Sequence, residues 1–180
     1  MMALSAGSAS VPALDRVWSW LDGVPDPEIP VISVVELGIV RDLEWLTGSE
    51  DGEPVLRVAI TPTYSGCPAT DVIAGDIEQA LRSRGIRNLR LENRLTPPWT
   101  TDWITASGRH KLREYGIAPP AERADASARL AGIKAAPPVV ACPRCGSTST
   151  SKVSEFGSTP CKAQYRCREC LEPFDYFKCL

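Results

Sequence analysis

Val55-Leu56-Arg57-Val58-Ala59-Ile60-Thr61-Pro62-Thr63-Tyr64-Ser65-Gly66-Cys67-Pro68-Ala69-Thr70 carries a strand, a Thr-rich loop with one cysteine, and the start of a helix. The β-branched run Val55 to Ile60 reads as a buried strand, and Pro62 stops it from extending. Beyond it Val72, Ile73, Ile77, Ala80 and Leu81 recur at helical spacing until Gly85, which predicts a helix over 68–84. Proline has no N–H to lose at a first helical position, so Cys67 is expected at or beside the N-cap. There the free N–H groups and the positive end of the helix dipole favour thiolate over thiol. A thiolate is a nucleophile or a metal ligand; the plainer alternative is a small buried cysteine filling a gap under the loop.

Upstream, Leu14, Val17, Trp18 and Leu21 fit one face of an opening helix that Gly23 and Pro25 end. Asp26-Pro27-Glu28-Ile29-Pro30 is an acidic turn stiffened by two prolines, and such a turn can exist only to cap a hairpin entrance. Val31 to Gly38 is apolar and reads equally as a short helix or a strand. Ile39 to Leu46 reads as a strand, 47–53 as an acidic turn, and Pro54 to Thr61 as the antiparallel partner. Downstream, Leu89, Leu91, Asn93 and Leu95 alternate with charged residues, and a strand-helix-strand succession favours parallel pairing. The expected fold class is α+β: a small mixed three-stranded sheet packed with helices over 12–96, followed by a zinc-ribbon module.

Pro97-Pro98 closes the first unit, and 97–116 reads as an aromatic helical extension in which Trp99 and Trp103 are expected to cluster with Trp45. The Ala- and Pro-rich stretch 117–138 reads as a linker. Within 139–180, Cys142-Pro143-Arg144-Cys145 and Cys167-Arg168-Glu169-Cys170 are the most specific signal. Each Cys-x-x-Cys turn can set two thiolates on one metal, and two turns complete a tetrahedral four-sulfur site. The 21 residues of 146–166 slightly exceed the usual ribbon spacing, so a longer central loop is expected around Phe156-Gly157-Ser158-Thr159-Pro160. So small a module rarely folds without a staple, which points to structural zinc; four cysteines can also hold an iron–sulfur cluster. Cys161 and Cys179 are left over, and ordinary packing is the default for both.

Composition bounds the function. The chain has 180 residues, 43% apolar content, seven cysteines and a net charge of -2, enough for one core plus an appendage. No run is long and apolar enough to span a bilayer, and 1–12 lacks the order of a secretory signal, so a cytoplasmic protein with reduced thiols is expected, with no membrane partner. Charge is uneven: 14–78 holds thirteen acids against three arginines, whereas 81–113 holds eight bases against two acids. The carboxy-terminal 142–180 holds six bases and four acids, too little charge to grip phosphate backbones, so no nucleic acid is expected and a protein-docking ribbon is. The single histidine, His110, has no acid three residues before it, which excludes the paired Glu-x-x-His of a di-iron oxygenase site. There is no Gly-x-Gly-x-x-Gly run for a dinucleotide. Cys67 has no resolving cysteine nearby in sequence, which weakens a thiol oxidoreductase reading.

With these residues in view the amino-terminal unit resembles the small iron–sulfur-assembly domain, of the SufT-like kind, on Asp26-Pro27-Glu28 and on Thr61 to Pro68. Nearly the whole chain, including Pro97-Pro98-Trp99-Thr100-Thr101-Asp102-Trp103-Ile104 and Cys170-Leu171-Glu172-Pro173-Phe174-Asp175-Tyr176-Phe177-Lys178-Cys179, resembles the PaaD family of phenylacetyl-CoA epoxidase components. The resemblance implies an accessory, non-catalytic role in aerobic phenylacetate breakdown, beside the oxygenase and reductase subunits of a multicomponent monooxygenase. It implies maturation of a metallocentre, with Cys67 binding iron or an iron–sulfur cluster transiently and Asp26, Glu28, Thr61 and Thr63 shaping the approach. A structural subunit whose Cys67 merely packs is the alternative. One cysteine cannot hold a cluster alone, so this role needs a client ligand, a small thiol or a homodimer that brings two Cys67 together.

Overall fold

Five elements in chain order make the first unit: α1 (Leu14–Leu21), β1 (Val40–Leu46), β2 (Val55–Ile60), α2 (Thr70–Arg82) and β3 (Leu89–Asn93). They are seen in a computed structural model that describes residues 11–47, 53–120 and 138–178. β1 pairs antiparallel with β2, and β2 pairs parallel with β3, so the mixed three-stranded sheet in the order β1-β2-β3 is as the sequence predicts. Strand alternation sends Leu56, Val58 and Ile60 of β2 and Leu43 of β1 to the inner face, where Val17 and Leu21 of α1 and Ile73, Ile77 and Leu81 of α2 cover them. On the outer face the Arg57 guanidinium gathers three carboxylates: Asp42 at 2.7 Å, Glu44 at 2.6 Å and Glu92 at 3.0 Å. One base of the acid-rich half thus neutralises part of its own surface.

Val31 to Gly38 forms neither helix nor strand but a run of turns, because side chains satisfy its backbone. Ser33 Oγ accepts from the Glu36 N–H and Glu36 Oε2 from the Ser33 N–H, both at 3.0 Å, in a reciprocal cap. The same buried carboxylate reaches forward to α3 (Ala106–Glu114), accepting from Ser107 Oγ at 2.7 Å and Lys111 Nζ at 2.8 Å. Gly38 sits at φ 72°, and a Cβ there would lie 2.7 Å from the Trp103 Cβ, so only glycine fits under the 3₁₀ turn Thr101–Trp103. The three tryptophans expected in one cluster go to three places. Trp99 is buried and donates to the Leu37 carbonyl, Trp45 donates to the Pro12 carbonyl, and Trp103 lies under the Arg41 guanidinium at 3.5 Å.

The second sheet contains β4 (Ile117–Ala118), β5 (Thr150–Ser154), β6 (Lys162–Cys167) and β7 (Pro173–Phe177) in the order β4-β7-β6-β5. The expected linker therefore does not begin at 117: Ile117 and Ala118 pair with Asp175 and Tyr176 of β7, since both are apolar and buried there. Residues 121–137 of that stretch, and Cys179, lie outside the described residues. Period-two alternation gives the second sheet two buried faces. Ala163, Tyr165, Phe174 and Tyr176 close on Ala118 and Val140 as its own core. From the opposite face Phe177 enters the core of the first unit, its ring 5.9 Å from that of Trp99.

Burial alone would raise the Glu36 carboxyl, but the Lys111 ammonium, the Ser107 hydroxyl and the Ser33 N–H together hold it below its ordinary value of 4.5. A carboxylate lowered on folding stabilises the fold fully above pH 4.5, and that contribution fades as pH falls through the folded value. Glu36→Gln should lower stability by about 2 kcal/mol at neutral pH and flatten the acid limb, as read from urea unfolding between about pH 3 and 7.

Candidate functional site

Two cysteine sites of different character lie in the molecule. In the ribbon, the two Cys-x-x-Cys turns are built alike. The Cys142 N–H donates to the Ser147 carbonyl and the Cys167 N–H to the Glu172 carbonyl, each at 2.9 Å. The residue after each second cysteine takes positive φ, Gly146 at 75° and Leu171 at 65°. This brings the sulfurs of Cys142, Cys145, Cys167 and Cys170 within 4.8 Å of one another. The Cys142–Cys170 and Cys145–Cys167 separations are 3.7 and 3.6 Å, close to the ~3.8 Å edge of a tetrahedron with zinc–sulfur bonds of about 2.3 Å. The donor set fits structural zinc. In the metal-free ligand set the N–H of Cys170 lowers the Cys167 thiol to about 7. For Cys170 the Glu172 N–H pulls down, but burial and the neighbouring sulfurs push the thiol up to about 12, so a metal that binds all four must displace protons.

The second site is a cleft between the two units. Cys67, Thr63, Asp26 and Glu28 line it from the first unit, and Cys161 and Phe177 from the ribbon. Its cavity volume is about 20 Å³, room for a water or one ion at ~10–15 Å³ and far from the ~300 Å³ of a small-molecule pocket. The Asp26 carboxylate accepts from the N–H of Glu28 at 3.0 Å and of Ile29 at 2.9 Å, which fixes the acidic turn. Burial pushes Asp26 above its ordinary range; the Ile29 and Glu28 N–H groups and the Lys162 charge oppose this without cancelling it. Glu28 is also raised, by desolvation and then by Asp26, against Lys162. Burial pushes the Cys161 thiol up while the Thr159 hydroxyl, 3.0 Å from its sulfur, pulls it down.

Comparison with known proteins follows the same division into two units. Residues 127–178 match the model of the PaaD zinc beta ribbon domain, and 14–86 match that of the iron-sulfur cluster assembly protein family. The chain is 47% identical over 169 residues, 94% of each chain, to the candidate PaaD component of the 1,2-phenylacetyl-CoA epoxidase of Escherichia coli (strain K12). The chain belongs to the PaaD family. Its first unit alone is 30% identical over 89 residues, 49% of this chain and 81% of the relative, to the Fe-S protein maturation auxiliary factor YitW of Bacillus subtilis (strain 168). Among solved structures, the conserved hypothetical protein TM0487 of Thermotoga maritima is 29% identical with a TM-score of 0.45, covering 56% of this chain and 94% of that one.

In this PaaD chain Asp26, Glu28, Thr63 and Cys67 come together at the cleft, whereas Thr61 does not line it. Thr61 is buried, and its N–H donates to the Ile39 carbonyl at 2.8 Å, because it still belongs to the end of the strand. Cys67 is two residues short of the expected helix edge: the N-cap is Ala69, and the Cys67 carbonyl accepts from both the N–H and the hydroxyl of Thr70. Its own N–H is taken by the Tyr64 carbonyl at 3.1 Å, so the loop, rather than the helix terminus, surrounds it. Cys161 lines the cleft as well, where the sequence suggested ordinary packing. No spacing rule pairs a cysteine at the start of β6 with one before α2; only the docking of the two units does.

Two outcomes test the ribbon. Replacing Cys142 and Cys167 together with Ser should take bound zinc from about one ion per chain to none, by elemental analysis, and melt the ribbon. Leu171→Gly relieves the left-handed strain of an exposed leucine and should raise the ribbon's thermal stability by up to about 1 kcal/mol with zinc unchanged.

Proposed function

We propose that the chain is an accessory maturation factor for a metallocentre of the oxygenase that epoxidises phenylacetyl-CoA, and that iron or an iron–sulfur cluster is its cargo. The observation that carries this reading is the meeting of the acidic turn and the Cys67 loop on one ion-sized cleft. Thiolate and carboxylate oxygen together suit iron held weakly enough to be passed on. The relatives add support: one is named as a component of the epoxidase and others as Fe-S protein maturation auxiliary factors. The cleft is far too small for a CoA thioester, and one histidine cannot furnish a di-iron site. The chain therefore serves the oxygenase and reductase subunits rather than the substrate, in the cytoplasm where thiols stay reduced.

In this reading Asp26 holds the turn through its two N–H bonds, Glu28 presents a carboxylate, and Cys67 forms the bond to the cargo. The ribbon, kept folded by zinc, meets the client. A second reading, a structural subunit that remains bound to the oxygenase, is favoured by Leu171, an apolar side chain left exposed in a strained backbone position.

Cells carrying Cys67→Ser in place of the natural chain should yield oxygenase and reductase subunits with at least a tenfold lower iron content in the client centre, while zinc in the variant stays normal. A full iron complement in both clients defeats the maturation role, and co-purification of the variant at fixed stoichiometry then establishes the structural one.

A further inference from the structure

The four-sulfur ribbon site leaves Cys161 unused, yet the fold carries it to the cleft that holds Cys67. Cys161 is 6% exposed, precedes β6, and belongs to the core of the first unit rather than to the ribbon's own. Both sulfurs border the same small cavity with Glu28, and both act electrostatically on Tyr64. The Cys161 carbonyl accepts from the Lys178 N–H at 2.9 Å, and the Thr159 hydroxyl lies against its sulfur, so its position is fixed by the ribbon hairpin. Cys67, in contrast, is half-exposed on a loop.

We propose that the iron cargo is held across the two units, with one thiolate from Cys67, one from Cys161 and a carboxylate oxygen from Glu28. The inference rests on the maturation reading and supplies what that reading lacks, a second sulfur within one chain, so that neither a homodimer nor a client ligand is needed to load. Loading is a ligand exchange without redox change: Fe(II) forms two iron–sulfur bonds, and two thiol protons leave to solvent. Asp26 acts as a positioning residue, since its carboxylate already accepts the N–H of Glu28 and Ile29. The donors of the cleft do not form a group within 4.8 Å as the ribbon sulfurs do, so loading draws the Cys67 loop toward the fixed Cys161. A site that must close to bind also opens to release, whereas the ribbon site is complete at rest. Fe(II) stands below zinc in intrinsic affinity for such ligands, so it does not displace the ribbon's metal.

The test is X-ray absorption at the iron edge of the full-length, zinc-loaded chain given one equivalent of Fe(II) without oxygen. Two sulfurs on iron in the wild type, with zinc retained, are expected; this count requires no variant and so does not depend on one folding. Cys161→Ser should leave one sulfur and weaken Fe(II) binding at least tenfold, and Glu28→Gln should weaken binding with the sulfur count at two. One sulfur in the wild type, no iron bound, or four sulfurs with zinc lost would each overturn the proposal. Unchanged affinity in Cys161→Ser overturns it too, and if Cys67→Ser still starves the client of iron, maturation stands while the shared site falls. Normal client iron with Cys67→Ser would instead remove the maturation reading itself.

Discussion

The burial of Phe177 in the core of the first unit is the contact on which the rest of the arrangement depends. Successive residues of β7 point to opposite faces, so Phe174 and Tyr176 enter the ribbon's own core while Phe177, 1% exposed, crosses to Trp99. Burying a phenylalanine contributes on the order of 2 kcal/mol, and Lys162, opposite Phe177 in the sheet register, is buried with it. That buried ammonium lies 3.7 Å from Asp175 and offsets part of the negative charge that Asp26 and Glu28 bring to the cleft. Without this docking the cleft would lose a wall and its only cation among the residues that shift those two carboxyls.

What the sequence makes legible is what local pattern determines. The alternation in β2, the helical spacing from Ile73 to Leu81 and the two Cys-x-x-Cys turns each act within a few residues, and the structure repeats them. Val31 to Gly38 is illegible because its conformation is set by Glu36 reaching to Ser107 and Lys111 far along the chain. Cys161 is missed for the same kind of reason, since its neighbours belong to another unit. The N-cap expectation for Cys67 fails more locally: proline can precede a helix by two residues when a threonine hydroxyl, here that of Thr70, closes the turn on the preceding carbonyl.

The two cysteine sites differ in what permits release. In the ribbon, four sulfurs already stand near tetrahedral separations, which suits zinc as a permanent staple. In the cleft, a half-exposed cysteine faces a fixed one across carboxylates, a mixed donor set of lower intrinsic affinity. Retention and transfer are thus assigned to separate parts of one chain, and zinc shapes a wall of the cleft without entering it.

The short strand β4 has a consequence for how the chain can vary. Because Ile117 and Ala118 are already paired with β7, the ribbon is anchored to the first unit before the chain sets out toward Val139, and again by Phe177 after it returns. The stretch between those anchors closes a loop whose entropy changes by only about 0.6 kcal/mol for each doubling of length. Its length and composition are therefore free to drift among related chains, or to accept an inserted segment, while the geometry that sets Cys161 beside the Cys67 loop is left untouched.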